Sequence, residues 1–179
     1  LPFLIMTSGN ISHQPISSNA QALTGICDYF LTNNRPILNR SDDSVILPTK
    51  YKNLILRRSR GFVPSPIKAG KKLAQTLGTG AELKLTFALS KGDSIYLSPY
   101  IGNSSSQSTL NFYQEMLAKY KKWFGIEPEL IACDLQPDFA TTRFAESQKL
   151  PLVRVQHHHA HIADVMIENK LDAPVISIS

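Results

Sequence analysis

Between residues 130 and 178 the sequence alternates short apolar runs with longer amphipathic segments, and this alternation restricts the possible folds more than any other feature. The apolar runs predict β-strands, and the segments between them have the apolar spacing of helices. The predicted order is strand 130–134, helix 141–149, strand 152–155, helix 160–169 and strand 175–178. Strands that alternate with helices of this length are typical of a mostly parallel sheet. We therefore expect an α/β fold.

The residues before this region add a hairpin and a long helix to the predicted domain. The stretch 80–100 alternates apolar and polar residues on both sides of the turn sequence SKGD at 90–93, which predicts a β-hairpin. The stretch 109–125 predicts a helix that ends at Gly125, a residue favoured just after a helix C-terminus. Its apolar stripe consists of Phe112, Met116, Leu117, Tyr120 and Phe124.

The first third of the chain predicts a separate unit. An apolar run at 3–10 predicts a buried strand that ends in a turn, and the spacing over 17–31 predicts a helix. A loop and a short strand follow over 33–47. The arginine, glycine and prolines of 61–72 then predict a linker. We place a domain boundary there, which gives domains at 1–65 and 66–179.

Basic residues are concentrated in this first third. Residues 1–60 contain seven Lys/Arg and three Asp/Glu, whereas the remainder contains twelve and eleven, and the net charge is +5. A basic region suits an anionic small molecule such as a nucleotide, or a nucleic acid. A solvated basic surface is the simpler alternative, and charge alone does not decide between them.

Four of the five histidines lie in the sequence VQHHHAHIAD at 155–164. If a helix begins near His157, then His157 and His161 stand one turn apart on the same face, close enough to bind one metal ion. Asp164 falls near that face and is a candidate to orient an imidazole. The histidines directly follow a predicted strand, where ligands of open α/β sheets bind. The alternative is a polar loop that is merely rich in histidine.

Several turn-like stretches offer donors for a phosphate-bearing ligand. TSGN and DDSV supply hydroxyl and amide groups beside a turn, RRSRG supplies guanidinium groups, and GTGAELKLT supplies a glycine-rich entry to the hairpin. Each stretch by itself is more typical of an ordinary turn or surface loop. The candidate side chains are those of Thr7, Ser8, Asn10, Ser44, Arg57, Arg58, Arg60, Glu82 and Lys84.

Cysteine usage and hydropathy indicate a cytoplasmic protein. Cys27 and Cys133 share no CxxC spacing, which favours reduced thiols, and small buried residues are the simplest interpretation of both. No apolar run approaches the roughly 20 residues of a membrane span. The first residues lack the features of a signal peptide. The missing initial Met and the apolar run at the end lead us to expect a fragment of a longer protein.

Taken in order, several stretches resemble the middle of the hydrogenase maturation carbamoyltransferase family HypF. The resemblance spans essentially the whole chain, and RRSRGFVP and VQHHHAHIA are its most specific parts. The stretches are LPFLIMTSGNISHQPISSNAQALTGICDYFLTNNRPILNRSDDSVI, LRRSRGFVPSPI, GAELKLTFAL, YLSPYIG, DLQPDFATTRFA and VQHHHAHIA. The resemblance implies that 1–65 is the end of a YrdC-like α/β domain. It implies that 66–179 is the first part of an actin-like, sugar-kinase-type ATPase domain, similar to the universal tRNA threonylcarbamoyl-transferase.

The resemblance also implies an activity. In this family carbamate released from carbamoyl phosphate reacts with ATP, for which Mg²⁺ is expected, to give carbamoyl-adenylate and pyrophosphate. The carbamoyl group then passes to the C-terminal cysteine of the partner HypE and becomes the cyanide ligand of the [NiFe]-hydrogenase iron. Adenylation supplies a good leaving group for thiolate attack, and a closed path protects unstable carbamate from water.

Carried over by motif, the resemblance assigns roles to particular residues. His157 and His161 would hold a divalent transition metal, Fe or Zn, that polarises the carbamoyl group. Lys84 would contact a phosphate. The carbamoyl-adenylate pocket would be lined by Thr7, Ser8, Asn10, Ser44 and Arg58.

Two positions depart from the family pattern. SPYIGN stands where SQHIGD is usual, and DLQPDF stands where DLHPDY is usual. Tyr100 and Gln136 thus replace imidazoles, which removes any metal-ligand or proton-transfer role for an imidazole at those positions.

Two other classes of function stay open at the level of sequence. One is an enzyme of the tRNA threonylcarbamoyladenosine type, which shares both domain types but acts on threonine. The other is a basic nucleotide- or RNA-binding fragment without catalysis. Aromatic residues are not interleaved with the arginine cluster as base stacking requires, so nucleic acid is not an expected partner. No membrane partner is expected.

Overall fold

A computed structural model describes residues 3–11 and 14–178 of the chain. The strands are β1 (Val45–Pro48), β2 (Asn53–Arg57), β3 (Ile67–Leu73), β4 (Thr76–Gly78), β5 (Ala88–Leu97), β6 (Leu130–Asp134) and β7 (Leu152–Val155). The helices are α1 (Gln107–Phe124), α2 (Ala140–Ser147) and α3 (His157–Glu168), with a short 3-10 turn at Gln21–Leu23. The predicted helices and strands between residues 109 and 169 are confirmed, apart from small differences at their ends.

The strands form two sheets. β1 and β2 pair as an antiparallel ribbon, and the other strands form a sheet in the order β3-β5-β4-β6-β7. β4, β6 and β7 are parallel, whereas β5 pairs antiparallel with both β3 and β4. The sheet is therefore mixed, and the prediction of a mostly parallel sheet is wrong. Among the described strands, only β6 and β7 directly follow an α-helix, and β4 and β5, which have no helix between them, pair antiparallel.

The predicted hairpin is present within β5. A straight strand of that length would separate its ends by about 33 Å, yet the N–H of Ser98 donates to the carbonyl of Phe87 across 2.9 Å. The chain must therefore reverse between them, and Gly92 has a φ of +62°. Leu85 continues the pairing with a bridge to Gly102. The turn lies where SKGD predicts it.

The hydrophobic core lies between the sheet and α1. Phe87 meets both Tyr113 and Tyr120 edge-on, at ring-centroid distances of 5.4 and 5.3 Å. Ser106 caps the start of the helix, where its hydroxyl accepts from the N–H of Thr109, and Gly125 follows the last helical residue with a φ of +57°. Gly125 is the glycine that the sequence predicts for the C-terminal end, whereas the Ser106 cap was not predicted. The buried apolar residues are Leu77, Leu85, Phe87, Leu89, Ile101, Phe112, Tyr113, Met116, Leu117, Tyr120, Ile126, Ile131, Cys133 and Ala145.

Two predictions for the first third are wrong. No strand forms between residues 3 and 8, where Phe3 and Ile5 are 85% and 96% exposed. The helix predicted over 17–31 is reduced to the single turn Gln21–Leu23. The side chain of Asn19 accepts from the N–H of Ala22, and Gly25 takes a φ of +86° just after the turn. Most helical stability comes from tertiary packing of an apolar face, and Ile26 and Phe30 of the predicted helix are exposed.

Two further predictions fail outside that region. The predicted linker 61–72 contributes most of β3, which pairs with β5 at the edge of the sheet. The strand predicted over 175–178 does not form, because no described strand lies beside it, and Ile176 and Ile178 are fully exposed. Within the described residues, no helix has the length and apolar character that crossing a membrane requires.

Candidate functional site

The imidazole pair His157 and His161 lies at the start of α3. The side-chain oxygen of Gln156 accepts from the N–H of His159 across 2.9 Å, so the helix begins at His157, three residues before its predicted start. His157 and His161 are consequently one turn apart, with their Nε2 atoms 3.2 Å from each other. The structure therefore brings together the two imidazoles that the sequence singles out as metal ligands.

A carboxylate that sequence reasoning missed completes this arrangement. Asp134 is the last residue of β6, and its Oδ2 lies 2.8 Å from Nδ1 of His157. β6 and β7 are parallel neighbours with Asp134 in register with Val155, so their carboxyl ends meet at one edge. The position of Asp134 at the end of a predicted strand was the available signal, since ligands of α/β sheets bind at that edge.

Asp164, the residue predicted to orient an imidazole, lines a cleft, and the carboxylate at His157 is that of Asp134. Asp164 lies on α3 with Glu168 one turn further along. Burial raises the pKa of Asp164, Glu168 acts in the same direction, and His161 opposes them. The imidazole that receives a carboxylate is His157, and Asp134 provides it.

The imidazole pair meets the distance requirement for two ligands of one ion. Ligand nitrogens about 2.0–2.1 Å from a tetrahedral ion lie about 3.3 Å from each other, close to the 3.2 Å between the two Nε2 atoms. Nδ1 of His157 is occupied by Asp134, which leaves Nε2 for a ligand bond. No cluster of three or more His, Cys, Asp or Glu side chains suited to a metal exists within the described residues. The chain therefore supplies two ligand positions there.

Arg58 and Lys84 line one cleft of about 800 Å³ between β2, the hairpin and α3. Nη2 of Arg58 donates to the carbonyls of Phe62 (3.3 Å) and Ser65 (3.0 Å), which fixes the guanidinium. Lys84 has a φ of +52°, and its N–H donates to Oδ1 of Asn103. The structure thus brings together these two predicted phosphate contacts.

The remaining predicted pocket residues lie elsewhere. Ser8 and Asn10 line a smaller cavity of about 200 Å³, where the Ser8 hydroxyl donates to Oδ1 of Asn10 across 2.6 Å. Thr7 is exposed and lines neither cavity. The hydroxyl of Ser44 donates to the carbonyl of Arg60 and accepts from the N–H of Ser59, so it fastens the backbone.

The two departures from the family pattern both lie beside residues of the candidate site. Tyr100 lines both cavities, and the guanidinium of Arg57 lies 5.2 Å from the centre of its ring. The N–H of Gln136 donates to Oδ1 of Asp134 across 2.9 Å, so its contact with the site is made by backbone. That contact does not require an imidazole at position 136.

The two cysteines are free and differ in exposure. Cys133 is buried in β6, as expected, but Cys27 is exposed, so the expectation of burial is wrong for Cys27. Burial raises the pKa of the Cys133 thiol, and the carboxylates of Glu146 and Asp134 act in the same direction against Arg154. A thiol with a raised pKa is a poor nucleophile. Cys133 therefore has a packing role beside the site.

Comparison with known proteins relates this arrangement to one family. A family model described as the HypF Kae1-like domain matches residues 71–168, which is more than half of the chain. The carbamoyltransferase HypF of Rhizobium leguminosarum bv. viciae is 36% identical over 180 residues, which cover 98% of this chain and 24% of that protein. The chain thus spans about a quarter of the length of this curated relative.

Solved structures agree over almost the whole chain. The crystal structure of full-length HypF in the phosphate- and nucleotide-bound form matches with a TM-score of 0.93 at 42% identity, covering 97% of this chain and 28% of that one. The crystal structure of T. kodakarensis HypF matches with a TM-score of 0.85 at 40% identity, covering 93% and 23%. The predicted fold class and resemblance are confirmed, while the boundary between 1–65 and 66–179 stays a prediction. The chain belongs to the HypF family.

Proposed function

We propose that this chain takes part in ATP-dependent carbamoyl transfer, with carbamoyl phosphate as the source of the group. ATP, with Mg²⁺, would give carbamoyl-adenylate, and the acceptor would be the C-terminal cysteine of HypE. Relatives of the chain are named carbamoyltransferases, and one solved relative is described as bound to phosphate and nucleotide. The observation that carries the proposal is the pairing of His157 and His161, with Asp134 behind them, at the carboxyl edge of the sheet.

The imidazole pair would bind a divalent transition metal, Fe or Zn. When bound, such an ion supplies a Lewis acid that polarises a carbonyl oxygen. The chain's own contribution is to hold both Nε2 atoms at the right separation. α3 fixes their spacing, and Oδ2 of Asp134 contacts Nδ1 of His157.

The cleft that Arg58 and Lys84 line would bind phosphate groups of the nucleotide. Arg57, Lys68 and Lys170 line it as well, so its basic side chains outnumber the carboxylates of Asp164 and Glu168, which suits a polyanionic ligand. Arg58 is already oriented by two carbonyls, so little side-chain entropy is lost on binding. Contacts of Thr7, Ser8, Asn10 and Ser44 with carbamoyl-adenylate remain part of the proposal.

A chimera tests this function in a protein of the full length of the relatives. This chain would replace the aligned segment of the Rhizobium relative, which covers 24% of that protein. The assay follows a labelled carbamoyl group from carbamoyl phosphate to a peptide that ends in cysteine, with ATP and Mg²⁺ present. We expect transfer by the chimera, and background transfer after His157→Ala/His161→Ala. Metal bound per chain should fall in the same variant.

The matched control is His158→Ala/His159→Ala. It removes two imidazoles from the same turn of α3, and neither of them contacts Asp134. This control should keep both metal and transfer. Transfer that survives the loss of His157 and His161 would contradict the proposal. Labelled product that depends on threonine instead of carbamoyl phosphate would point to the threonylcarbamoyladenosine type of enzyme.

A further inference from the structure

Asp134 is held in place independently of the imidazole it contacts. Its side chain is only 10% exposed. Oδ1 accepts from the N–H of Gln136 across 2.9 Å, while Oδ2 faces Nδ1 of His157 across 2.8 Å. Each carboxylate oxygen therefore has its own partner, and the backbone contact determines which oxygen is presented to the imidazole.

We infer that Asp134 is a positioning residue that fixes the ring orientation and the tautomer of His157. An ionised carboxylate only accepts hydrogen bonds, so the neutral imidazole must carry its proton on Nδ1. Nε2 then keeps its lone pair and faces Nε2 of His161. The inference rests on the proposed function to the extent that this lone pair is used to bind a metal ion.

The surrounding structure makes Asp134→Asn an informative substitution. Since the N–H of Gln136 requires an acceptor, the amide oxygen of the asparagine would stay on that side. Its NH₂ group would then face Nδ1 of His157. A donor at that place forces Nδ1 to accept, so the proton moves to Nε2 and blocks the ligand bond. The substitution changes the tautomer while conserving size and shape.

The first measurement is the tautomer of His157 in metal-free protein. Nitrogen-15 chemical shifts of the imidazoles would be recorded at about pH 8, where an ordinary imidazole is neutral, and assigned with His157→Ala. We expect the proton on Nδ1 in the unsubstituted chain and on Nε2 in Asp134→Asn. A proton on Nε2 in the unsubstituted chain would overturn the inference, whatever the variant does.

The second measurement is the affinity for Zn²⁺, obtained by competition with a chelator. Loss of a carboxylate behind a ligating imidazole typically lowers metal affinity about 10–100-fold, and we expect that decrease in Asp134→Asn. The control is Asp138→Asn, which removes the same charge from an exposed position in the loop that follows β6. The control should bind Zn²⁺ like the unsubstituted chain. Equal affinity in Asp134→Asn and the unsubstituted chain would overturn the inference.

The two measurements separate this inference from the proposed function. If the unsubstituted chain binds no Zn²⁺, or binds it without His157 and His161, the metal part of the proposed function fails. The tautomer of His157 still tests whether Asp134 positions that ring, because the tautomer is measured in metal-free protein.

Discussion

Residues 3–65 and residues 66–178 are stabilised in different ways. Among the described residues, every buried apolar side chain lies in the second region, between Leu77 and Ala145. The first region contains one ribbon and one 3-10 turn, and Ser59 is its only buried residue in the part that the structure describes. Burial of apolar surface, at about 25 cal/mol per Å², therefore stabilises the second region far more than the first.

The first region is attached to the second through polar contacts. Nζ of Lys119 donates to the carbonyl of Leu38 across 2.8 Å, and the guanidinium of Arg40 lies 4.8 Å from the ring centre of Phe112. Single contacts of this kind contribute about 1 kcal/mol each. Side chains at the ends of core strands are consequently fixed by packing, while those of the first region depend on a few weak contacts.

The largest expected effect of a single change is in the core. Phe87 is 1% exposed and contacts two aromatic rings, so Phe87→Ala should lower the free energy of unfolding by about 3–5 kcal/mol. Chemical denaturation followed by circular dichroism measures it. If that variant does not fold, Phe87→Leu should fold with a loss of about 1.5 kcal/mol.

The matched change in the first region is Ile55→Ala. Ile55 lies in β2 and is 42% exposed. Its truncation should lower the free energy of unfolding by about 1 kcal/mol or less. Equal losses for Phe87→Ala and Ile55→Ala would contradict the difference drawn between the two regions.

Two glycines with similar backbone conformations give the next largest effect. Gly80 has a φ of +75° and Gly61 one of +86°, so an added Cβ costs about 1–2 kcal/mol at either position. At Gly80 the Cβ would also press against the carbonyl oxygen of Thr86 and lie 2.9 Å from Leu85, whereas at Gly61 it would meet nothing within 4 Å.

Crowding should therefore add about 1–3 kcal/mol to the loss in Gly80→Ala alone. The measurement is the free energy of unfolding of both variants in urea. Because both changes reduce the freedom of the unfolded chain equally, the difference between them isolates the packing. A loss in Gly61→Ala as large as that in Gly80→Ala would show that the first region is also tightly packed.

The same difference explains how much of the fold the sequence could predict. α1, β6, α2 and β7 combine strong periodicity with capping or turn residues, and their neighbours along the chain are also their neighbours in space. Local pattern and tertiary burial agree there, so prediction succeeded. At 3–10 and 175–178 the pattern is equally apolar, but no described element covers it. Periodicity reports what a segment is able to bury and says nothing about whether a partner covers it.

The candidate site follows a similar rule. The i, i+4 spacing of His157 and His161 depends only on local helix geometry, and the sequence was sufficient to pair them. Asp134 was missed because its contact requires the register of two parallel strands, which no local pattern encodes. Ser44 was proposed for a pocket because its hydroxyl is a good donor, and the structure shows that hydroxyl bonded to backbone 15 and 16 residues away, a contact that no local pattern encodes. Residue type indicates a capability, and tertiary contacts decide how it is used.

The smallest expected effect is the coupling free energy of an ion pair that joins the two regions. Nζ of Lys52 lies 2.9 Å from Oε1 of Glu168, and the side chains are 49% and 58% exposed. A double-mutant cycle with Lys52→Ala and Glu168→Ala should give a coupling of about 0.2–1 kcal/mol. The coupling should shrink in 1 M salt, where the screening length is about 3 Å.

The control is the pair Arg154–Glu146, which is internal to the second region and has an N–O distance of 2.6 Å. Similar couplings for the two pairs would mean that the contact between the regions is as well ordered as a surface contact within the second region. A coupling for Arg154–Glu146 alone would mean that the contact between Lys52 and Glu168 adds nothing to the attachment of the first region to the second.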